Sequence, residues 1–426
     1  IPRASPRSCL IVIHPLGKSS SSTNETSKND LIKSKFEVYI VGGFIRDILL
    51  NREKSEIDFL IVGDGILFAN KLAEKLNVNK VVIYKRFGTA QFRYKNFSLE
   101  FVEARKESYS FDSRNPEVSS GSFEDDIARR DFKINTLAVS INRNSFGKLI
   151  DLYDGLTDIE NKIIRTTLNP QITFNDDPLR ILRAFRFASQ LQFNVDDEIK
   201  KYAYLLRERL KIISQERITD ELLKILSSSK PSIGFILLYE TKVLEIIFPE
   251  IANLAGVEQK NDFHHKDVFF HTMQVVDNIA KMTDDVWLRF AALVHDIAKP
   301  ATKKFVDGIG WTFHGHEDLG AKMMKSIFIK LKLPLFKLEY VKKLVRLHLR
   351  PISLAAENVT DSAIRRLIVE AGEDLEDLIT LCRADITSKN PGKVSEYLNN
   401  YERVMKRVLE VKEKDQLRAF QSPVRG

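Results

Sequence analysis

Three carboxylates mark the first place where this chain can do chemistry. Glu56 and Asp58 stand two apart in SEIDFLIVGD, at the head of an apolar run, and Glu100 stands in SLEFVEAR. Side chains two apart on a strand project from one face. Like-charged carboxylates crowded together are unfavourable unless a cation neutralises them. An all-oxygen set of this kind suits Mg²⁺, and two such ions about 4 Å apart can activate an attacking hydroxyl and stabilise the leaving oxygens of a phosphoryl displacement. The competing reading is that Glu56 opens a solvated edge and Asp58 alone matters. Just upstream, IVGGFIRD ends an apolar run on Gly42 and Gly43 and continues at once into Arg46 and Asp47. Glycines at a strand end let the backbone approach a ligand, and a helix starting after them offers free N–H groups to an anion. Arg46 adds a forked donor suited to phosphate oxygens. A plain Gly-Gly turn followed by a surface Arg-Asp pair is the alternative.

A second constellation lies downstream. Six of the eight histidines fall between His264 and His316, and a seventh is His348. FFHTMQVV, RFAALVHDIAKP, FHGHEDLGA, LVRLHLRP and LCRADITS follow one another at helical spacings. Imidazoles with carboxylates are the usual ligands of transition metals, and the dipeptide His295-Asp296 offers two ligands from neighbouring side chains. A scatter of core histidines is the bland reading.

The elements that must hold these residues follow from the pattern. FEVYIVGG reads as a strand, FIRDILLN as a helix, EIDFLIVG as a strand, GILFANKLAEKLN as a helix and VVIYK as a strand. GTAQFRY and FSLEFVEAR alternate around KN, which predicts a hairpin. From about Asp154 the apolar residues recur at three and four, predicting helices over DPLRILRAFRFASQLQF, DEIKKYAYLLRERLKII and RITDELLKIL. The fold class is therefore α+β: a mixed-sheet head over 36–153, then an all-α remainder. That remainder divides into a neck (154–230), a linking body (231–260), the histidine-rich domain (261–390) and a tail (391–426).

Composition bounds the rest. A chain of 426 residues exceeds what one core fills, and 43% apolar with 29% charged residues is that of a folded protein. A formal charge of +8 suggests an anionic partner. Two cysteines, Cys9 and Cys382, argue against a disulfide framework. No apolar run approaches the ~18–20 residues of a membrane span, and the chain reads as cytoplasmic. Residues 1–35, with GKSSSSTNETSKND, read as a disordered leader or artefact. The end at FQSPVRG reads as a truncation.

The motifs carry a family resemblance. GGFIRD, EID, EFVEAR, RRDFKINTL at 129–137, DLYDG at 151–155 and NDDPLRILRAFRFA at 175–188 occur in the order and spacing of the bacterial-type tRNA nucleotidyltransferases and poly(A) polymerases, over roughly residues 37–225. The resemblance implies a nucleotidyltransferase that adds C, C and A to a tRNA 3′ end from CTP and ATP without a nucleic-acid template. Gly43 and Arg46 would hold the triphosphate, with Gly42 and Asp47 also in the nucleotide-binding site. Glu56 and Asp58 would bind Mg²⁺, and Glu100 would be the third catalytic carboxylate, assisting the attacking 3′-hydroxyl. Arg129 and Arg130 would neutralise phosphate, and Asp131, with Asn135 in the same motif, would favour ribonucleotides through the 2′-OH. A helix bearing Arg-Arg-Asp on a solvated face is the alternative. The C-terminal helices, which alternate apolar and basic residues, would pack on the body and turn Lys and Arg toward water or tRNA phosphates.

On a helix starting near Asp177, that residue and Arg180 would share a face. A carboxylate accepting from an exocyclic amine beside a donating guanidinium matches cytosine and adenine, whereas guanine and uracil leave both groups mispaired. Such a pair can discriminate by about 10⁴-fold. Arg183, one turn on, would reach phosphate or the same base. A surface salt bridge is the alternative. The family's metal pair is Asp-x-Asp, and this chain has Glu56-Ile57-Asp58. One methylene moves the carboxylate by about a bond length, and misplacement of about 1 Å can cost ~10²-fold.

The histidine series is similar to the HD phosphohydrolase domain. His271, His295, Asp296 and Asp385 match its ligand pattern, His316 and His348 are candidates for a second metal, and His264 and His265 read as peripheral. The resemblance implies a divalent transition metal and phosphodiester or phosphatase chemistry at nucleotide ends. Runner-up readings are a poly(A) polymerase, an enzyme adding only part of CCA, or chiefly an HD hydrolase with an impaired transferase head.

Overall fold

A computed structural model describes residues 36–85, 88–108, 117–261, 264–308, 310–355 and 359–420. The expectations for the leader, Cys9 and the terminal 421–426 lie outside the described residues. The chain divides into two compact units, residues 1–180 with 193–202, and residues 181–192 with 203–426.

The first unit begins β1 (Glu37–Val41), α1 (Gly43–Leu49), β2 (Glu56–Val62), α2 (Gly65–Lys75), β3 (Val82–Tyr84), β4 (Thr89–Tyr94) and β5 (Phe97–Glu103). A small ribbon of β6 (Arg105–Ser108) and β7 (Glu117–Ser120) follows, then α3 (Phe123–Ala128), β8 (Ala138–Ser140) and β9 (Leu149–Ile150). Seven strands form one sheet in the order β3-β4-β5-β2-β1-β8-β9. Only β2 and β5 run parallel, and the predicted hairpin joins β4 to β5 around Lys95 and Asn96. Lys95 adopts φ +53° there.

Alternation along β2 sorts the sheet into two faces. Ile57, Phe59 and Ile61 are buried on one, where Phe59 and Phe92 each stack on Phe101 and Phe68 of α2 closes over them. Asp58 and Leu60 point to the other. There Leu60, Val41, Ala104 and Ala138 form a core with Phe123 and Ile127 of α3. The face that bears the acids is thus the face α3 covers.

The unit continues through α4 (Gly155–Glu160), β10 (Ile163–Ile164) and α5 (Pro170–Asp176), and closes with β11 (Asn194–Val195), parallel to β10. Arg165 fixes this closure by donating to Asp158 at 2.7 Å and Asp196 at 3.0 Å. One expected element starts later than its pattern suggests. The helix α6 runs Leu179–Leu191, and Asp177 lies between it and α5 with φ −140° and ψ 102°. Pro178 is the cause, since its ring disfavours the helical region for the residue before it.

The second unit is helical. Its elements include α7 (Gln215–Leu226), α8 (Pro231–Glu240), α9 (Val268–Ile279), α10 (Val286–Val294), the short α11 (Lys299–Thr302), α12 (His316–Lys330), α13 (Leu338–Leu347), α14 (Asp361–Ala371), α15 (Leu375–Ala384) and the 30-residue α16 (Pro391–Phe420). Helix α16 buries Tyr401, Val404, Val408 and Val411, and Arg407 and Asp415 pair with Asp361 and Arg365 of α14. The helical pattern left two ribbons unforeseen: Glu258–Asn261 with His264–Asp267, and Lys304–Val306 with Gly310–Thr312. His264 and His265 lie on the first, and their side chains lie outside the described residues. No described helix is long and apolar enough to cross a membrane.

Candidate active site and metal centre

Asp58 and Glu100 are paired neighbours across the parallel β2–β5 ladder, and Val41, at the end of β1, pairs Asp58 from the other side. Burial raises the pKa of Asp58, with Glu56 adding to the rise and Arg130 and Lys54 opposing it. Glu100 is raised by burial, then by Asp58 and Glu56. Glu56 begins β2 and is exposed. All three carboxylates therefore act on one another, and two are held in a form that favours a proton or a cation.

The glycine turn stands against this cluster. Gly42 takes φ +76°, and a Cβ there would lie 3.0 Å from Arg130 Nη1 and 3.6 Å from Asp58 Oδ2. A Cβ on Gly43 would lie 3.2 Å from both Arg46 Nη2 and Lys54 Nζ. Arg46 is not the surface residue of an exposed turn: it is 5% exposed and Asp47 8%. It donates to Asp47 through Nε (2.9 Å) and Nη2 (3.0 Å) and to Asn135 Oδ1 through Nη1 (2.6 Å). Asn135 in turn donates to Asp131 at 3.0 Å, which also accepts from the Phe132 N–H. Asp47, Arg46, Asn135 and Asp131 form one buried chain of hydrogen bonds, so Arg-Arg-Asp does not sit on a solvated helix face.

Helix α3 aims the two arginines. Its N-terminus is closed by a reciprocal Ser122–Asp125 capping box, and the hydrogen bonds from Ser122 hold the Asp125 carboxyl below its usual range. Beyond its last residue, Arg129 and Arg130 both pair with the fully buried Asp126, Arg130 through Nη2 at 3.1 Å. Sequence reasoning passed over Asp126 and Lys54. The spacing Asp126-x-x-Arg129-Arg130, three and four residues apart on a helix, was the available signal for the first; Lys54 carried none.

Asp177 and Arg180 do not form a simple pair along one helix face. The Asp177 carboxylate accepts from the Leu179 N–H at 3.1 Å and so caps α6. Arg180 donates through Nη2 to the Arg129 carbonyl at 2.9 Å, tying it to the end of α3. In the second unit, Arg183 lies 5.7 Å from the Phe187 ring. Arg186 stacks on the same ring at 4.5 Å and donates to the buried Glu221.

The histidines of the second unit converge. His271 comes from α9, His295 and Asp296 follow α10, His316 opens α12, His348 ends α13 and Asp385 ends α15. His271 Nε2 lies 2.9 Å from Asp385 and 3.7 Å from Asp296 Oδ2; His295 Nε2 lies 3.2 Å from Asp296 Oδ2. The other oxygen of Asp296 lies 3.2 Å from His316 Nε2 and 3.8 Å from His348 Nε2. Two ligand groups result, His271-His295-Asp296 and Asp296-His316-His348, bridged by one carboxylate.

Each Nδ1 is engaged from behind: His271 with the Thr387 hydroxyl, and His295, His316 and His348 with the carbonyls of Ala292, Phe313 and Val345. These contacts hold the Nε2 atoms inward, as metal-binding imidazoles require. His295 Nε2 and Asp385 Oδ1 are buried and close together yet make no well-formed hydrogen bond, and Asp296 Oδ2 beside them faces Lys299 Nζ at 2.6 Å. Donor atoms facing one another without hydrogen-bond geometry fit a shared cation. The electrostatics agree. Burial disfavours charge on His295, but Asp296 and Asp385 raise its pKa to about 10, while burial and His295 push His348 down to about 4. Lys299 offsets one of the two carboxylates from the side.

Three family models match successive stretches: the Poly A polymerase head domain over 38–165, the probable RNA and SrmB-binding site of polymerase A over 192–254, and the HD domain over 268–390. A multifunctional CCA protein of Shewanella frigidimarina is 30% identical over 309 residues, covering 70% of each chain. An A-adding tRNA nucleotidyltransferase of Aquifex aeolicus is 35% identical over 275 residues, which span 63% of this chain and only 32% of that protein. A solved tRNA nucleotidyltransferase, complexed with a primer tRNA and an incoming ATP analog, shares the fold with a TM-score of 0.62 at 24% identity, over 88% of this chain and 97% of that one. The chain belongs to the tRNA nucleotidyltransferase and poly(A) polymerase family, and is a nucleotidyltransferase enzyme with an HD domain.

Proposed function

We propose that this protein adds CMP, CMP and AMP to the 3′ end of tRNA, using CTP and ATP and no nucleic-acid template. The observation that carries the reading is the Asp58–Glu100 register pair, with Arg130 and Gly42 beside it and Glu56 two residues before Asp58. Glu56 and Asp58 hold Mg²⁺, which supplies Lewis-acid stabilisation of the phosphoryl oxygens. Glu100 accepts the proton of the attacking 3′-hydroxyl or orients that hydroxyl. Lys54 and Arg130 face the triphosphate and attract its charge. Gly42 keeps the space in which a Cβ would collide with Arg130. The Asp47–Arg46–Asn135–Asp131 chain fixes the wall of the nucleotide site, with Asp131 placed for the ribose. Asp177 and Arg180 read the Watson–Crick edge, accepting from an exocyclic amine and donating to the adjoining ring position. Arg183 meets phosphate or base from the next turn. The soluble chemistry of tRNA, CTP and ATP fits a cytoplasmic location.

The deciding experiment incubates tRNA transcripts ending before CCA with Mg²⁺ and labelled CTP or ATP, for the wild type and Glu56→Asp. Addition of C, C and A supports the reading. Addition of A alone to transcripts ending in CC would place the chain with A-adding relatives, and long A tails would make it a poly(A) polymerase.

A second reading rests on the histidine centre: a divalent transition metal held by His271, His295, Asp296 and Asp385, with a second at His316 and His348, supports hydrolysis of phosphoester bonds at nucleotide ends. The two convergent ligand groups that share Asp296 favour it. Metal-dependent hydrolysis of a 2′,3′-cyclic phosphate tests it.

A further inference from the structure

The ribbon of Lys304–Val306 and Gly310–Thr312 is rooted at both ends in the histidine centre. Its first strand leaves α11, whose Lys299 places Nζ 2.6 Å from Asp296 Oδ2. Its second strand runs into Phe313, whose carbonyl accepts from His316 Nδ1 at 2.7 Å. The ribbon carries a pair of aromatic rings where alternation would allow polar residues. Phe305 and Trp311 are register partners, 5.3 Å apart and edge-to-face, and remain 60% and 41% exposed. A cation stands beside them: Lys303, two residues before Phe305 and so on the same side of the strand, places Nζ 4.4 Å from the Trp311 ring. Trp311 stands two residues from Phe313, a chain distance of about 7 Å. A cross-strand aromatic pair can simply stabilise a ribbon, but such a pair needs neither the exposure nor the lysine.

We propose that Phe305 and Trp311 form a stacking platform for the base of a terminal ribonucleotide whose phosphate is presented to the histidine centre, with Lys303 drawing in the adjoining phosphates. The inference rests on the phosphohydrolase reading and names its substrate class: nucleotide ends that carry a base, not phosphoesters in general. Exposed aromatic faces interleaved with cations suit single-stranded nucleic acid because every base has a π-face. The formal charge of +8 favours the same partner.

The test compares 2′,3′-cyclic AMP with a base-free ester that has no aromatic ring, methyl riboside 2,3-cyclic phosphate, using the full chain loaded with Mn²⁺, Co²⁺ or Ni²⁺. In Trp311→Ala and Phe305→Ala, kcat/KM for cyclic AMP should fall about tenfold, chiefly through KM, the order of effect one stacking ring supplies. Hydrolysis of the base-free ester should be unchanged. Equal loss on both substrates, or loss on neither, overturns the platform. If the wild type hydrolyses neither substrate, the phosphohydrolase reading fails, and binding decides the platform separately. In a Trp287→Phe background, Trp311 is the sole tryptophan, and AMP should quench its fluorescence, less so after Phe305→Ala. Absence of quenching overturns the proposal.

Discussion

Asp58 and Glu100 face one another across the only parallel pair in the seven-stranded sheet, on the side that α3 covers. Antiparallel pairing would run the chain back through a short turn; the parallel pair instead brings together carboxylates separated by 42 positions in sequence. Asp58→Asn and Glu100→Gln should lower CMP incorporation by at least 10³-fold and about 10²-fold respectively, since in the proposed mechanism Asp58 would hold Mg²⁺ and Glu100 would only accept a proton. In differential scanning fluorimetry, Mg²⁺ with CTP should raise the Tm of Glu100→Gln but not of Asp58→Asn.

Glu56 departs from the family pattern, and it also begins β2 at an exposed position. Freedom at a strand end lets the longer side chain fold back, so Glu56→Asp should stay within about tenfold of wild type. Glu56→Gln should lose about 10²-fold. Single-turnover CMP transfer at saturating Mg²⁺ separates the two.

Asp126 is fully buried between Arg129 and Arg130. Asp126→Asn should raise KM for CTP and ATP alike, about tenfold, because the lost hold on the arginines is shared by every triphosphate. Discrimination among bases should be unchanged. It should also destabilise the protein by about 3 kcal/mol, as breaking a buried ion pair does. Equal KM shifts with intact base selection would separate this from damage to the reading residues.

Asp125 offers a pH signature of the same helix. The hydrogen bonds from Ser122 depress its pKa, so its contribution is present above the usual carboxylate value of about 4 and is lost as pH falls through the lower folded value. Asp125→Asn should therefore be less stable than wild type at pH 7. The difference in Tm should close as pH falls below about 4.

For the histidine centre, His295→Ala should abolish high-affinity binding of Mn²⁺, Co²⁺ or Ni²⁺, measured by metal content after dialysis. Nucleotide transfer in Mg²⁺ should remain within twofold. Wild type treated with a chelator, dialysed and returned to Mg²⁺ alone should behave the same way.

Much of the head was legible because alternation and glycine turns are local signals. The strand ending at Gly42, the Lys95–Asn96 hairpin and the strand opening at Glu56 each follow from a few adjacent residues. The α+β class and the family followed from ordered motifs. What escaped depended on contacts remote in sequence or on a single intervening residue. Pro178 delays α6 and turns Asp177 into its cap, a shift that apolar periodicity does not register. The Arg46–Asn135 bond spans 89 positions and turned an apparent surface pair into a buried one. Lys54, flanked by Glu53 and Ser55, had nothing in its surroundings to distinguish it from any surface lysine.

The capping bond from Asp177 to Leu179 carries a consequence for how such an enzyme can diverge. One carboxylate both starts a helix and, in the proposed mechanism, spells a letter of the product, so a lineage cannot rewrite the letter without also renegotiating the fold. Asparagine is the change that keeps the cap while offering a donor in place of one acceptor. In that mechanism new specificity is most accessible through the short polar residues that also cap a helix, asparagine first among them, while every other spelling carries a folding cost of about 1 kcal/mol.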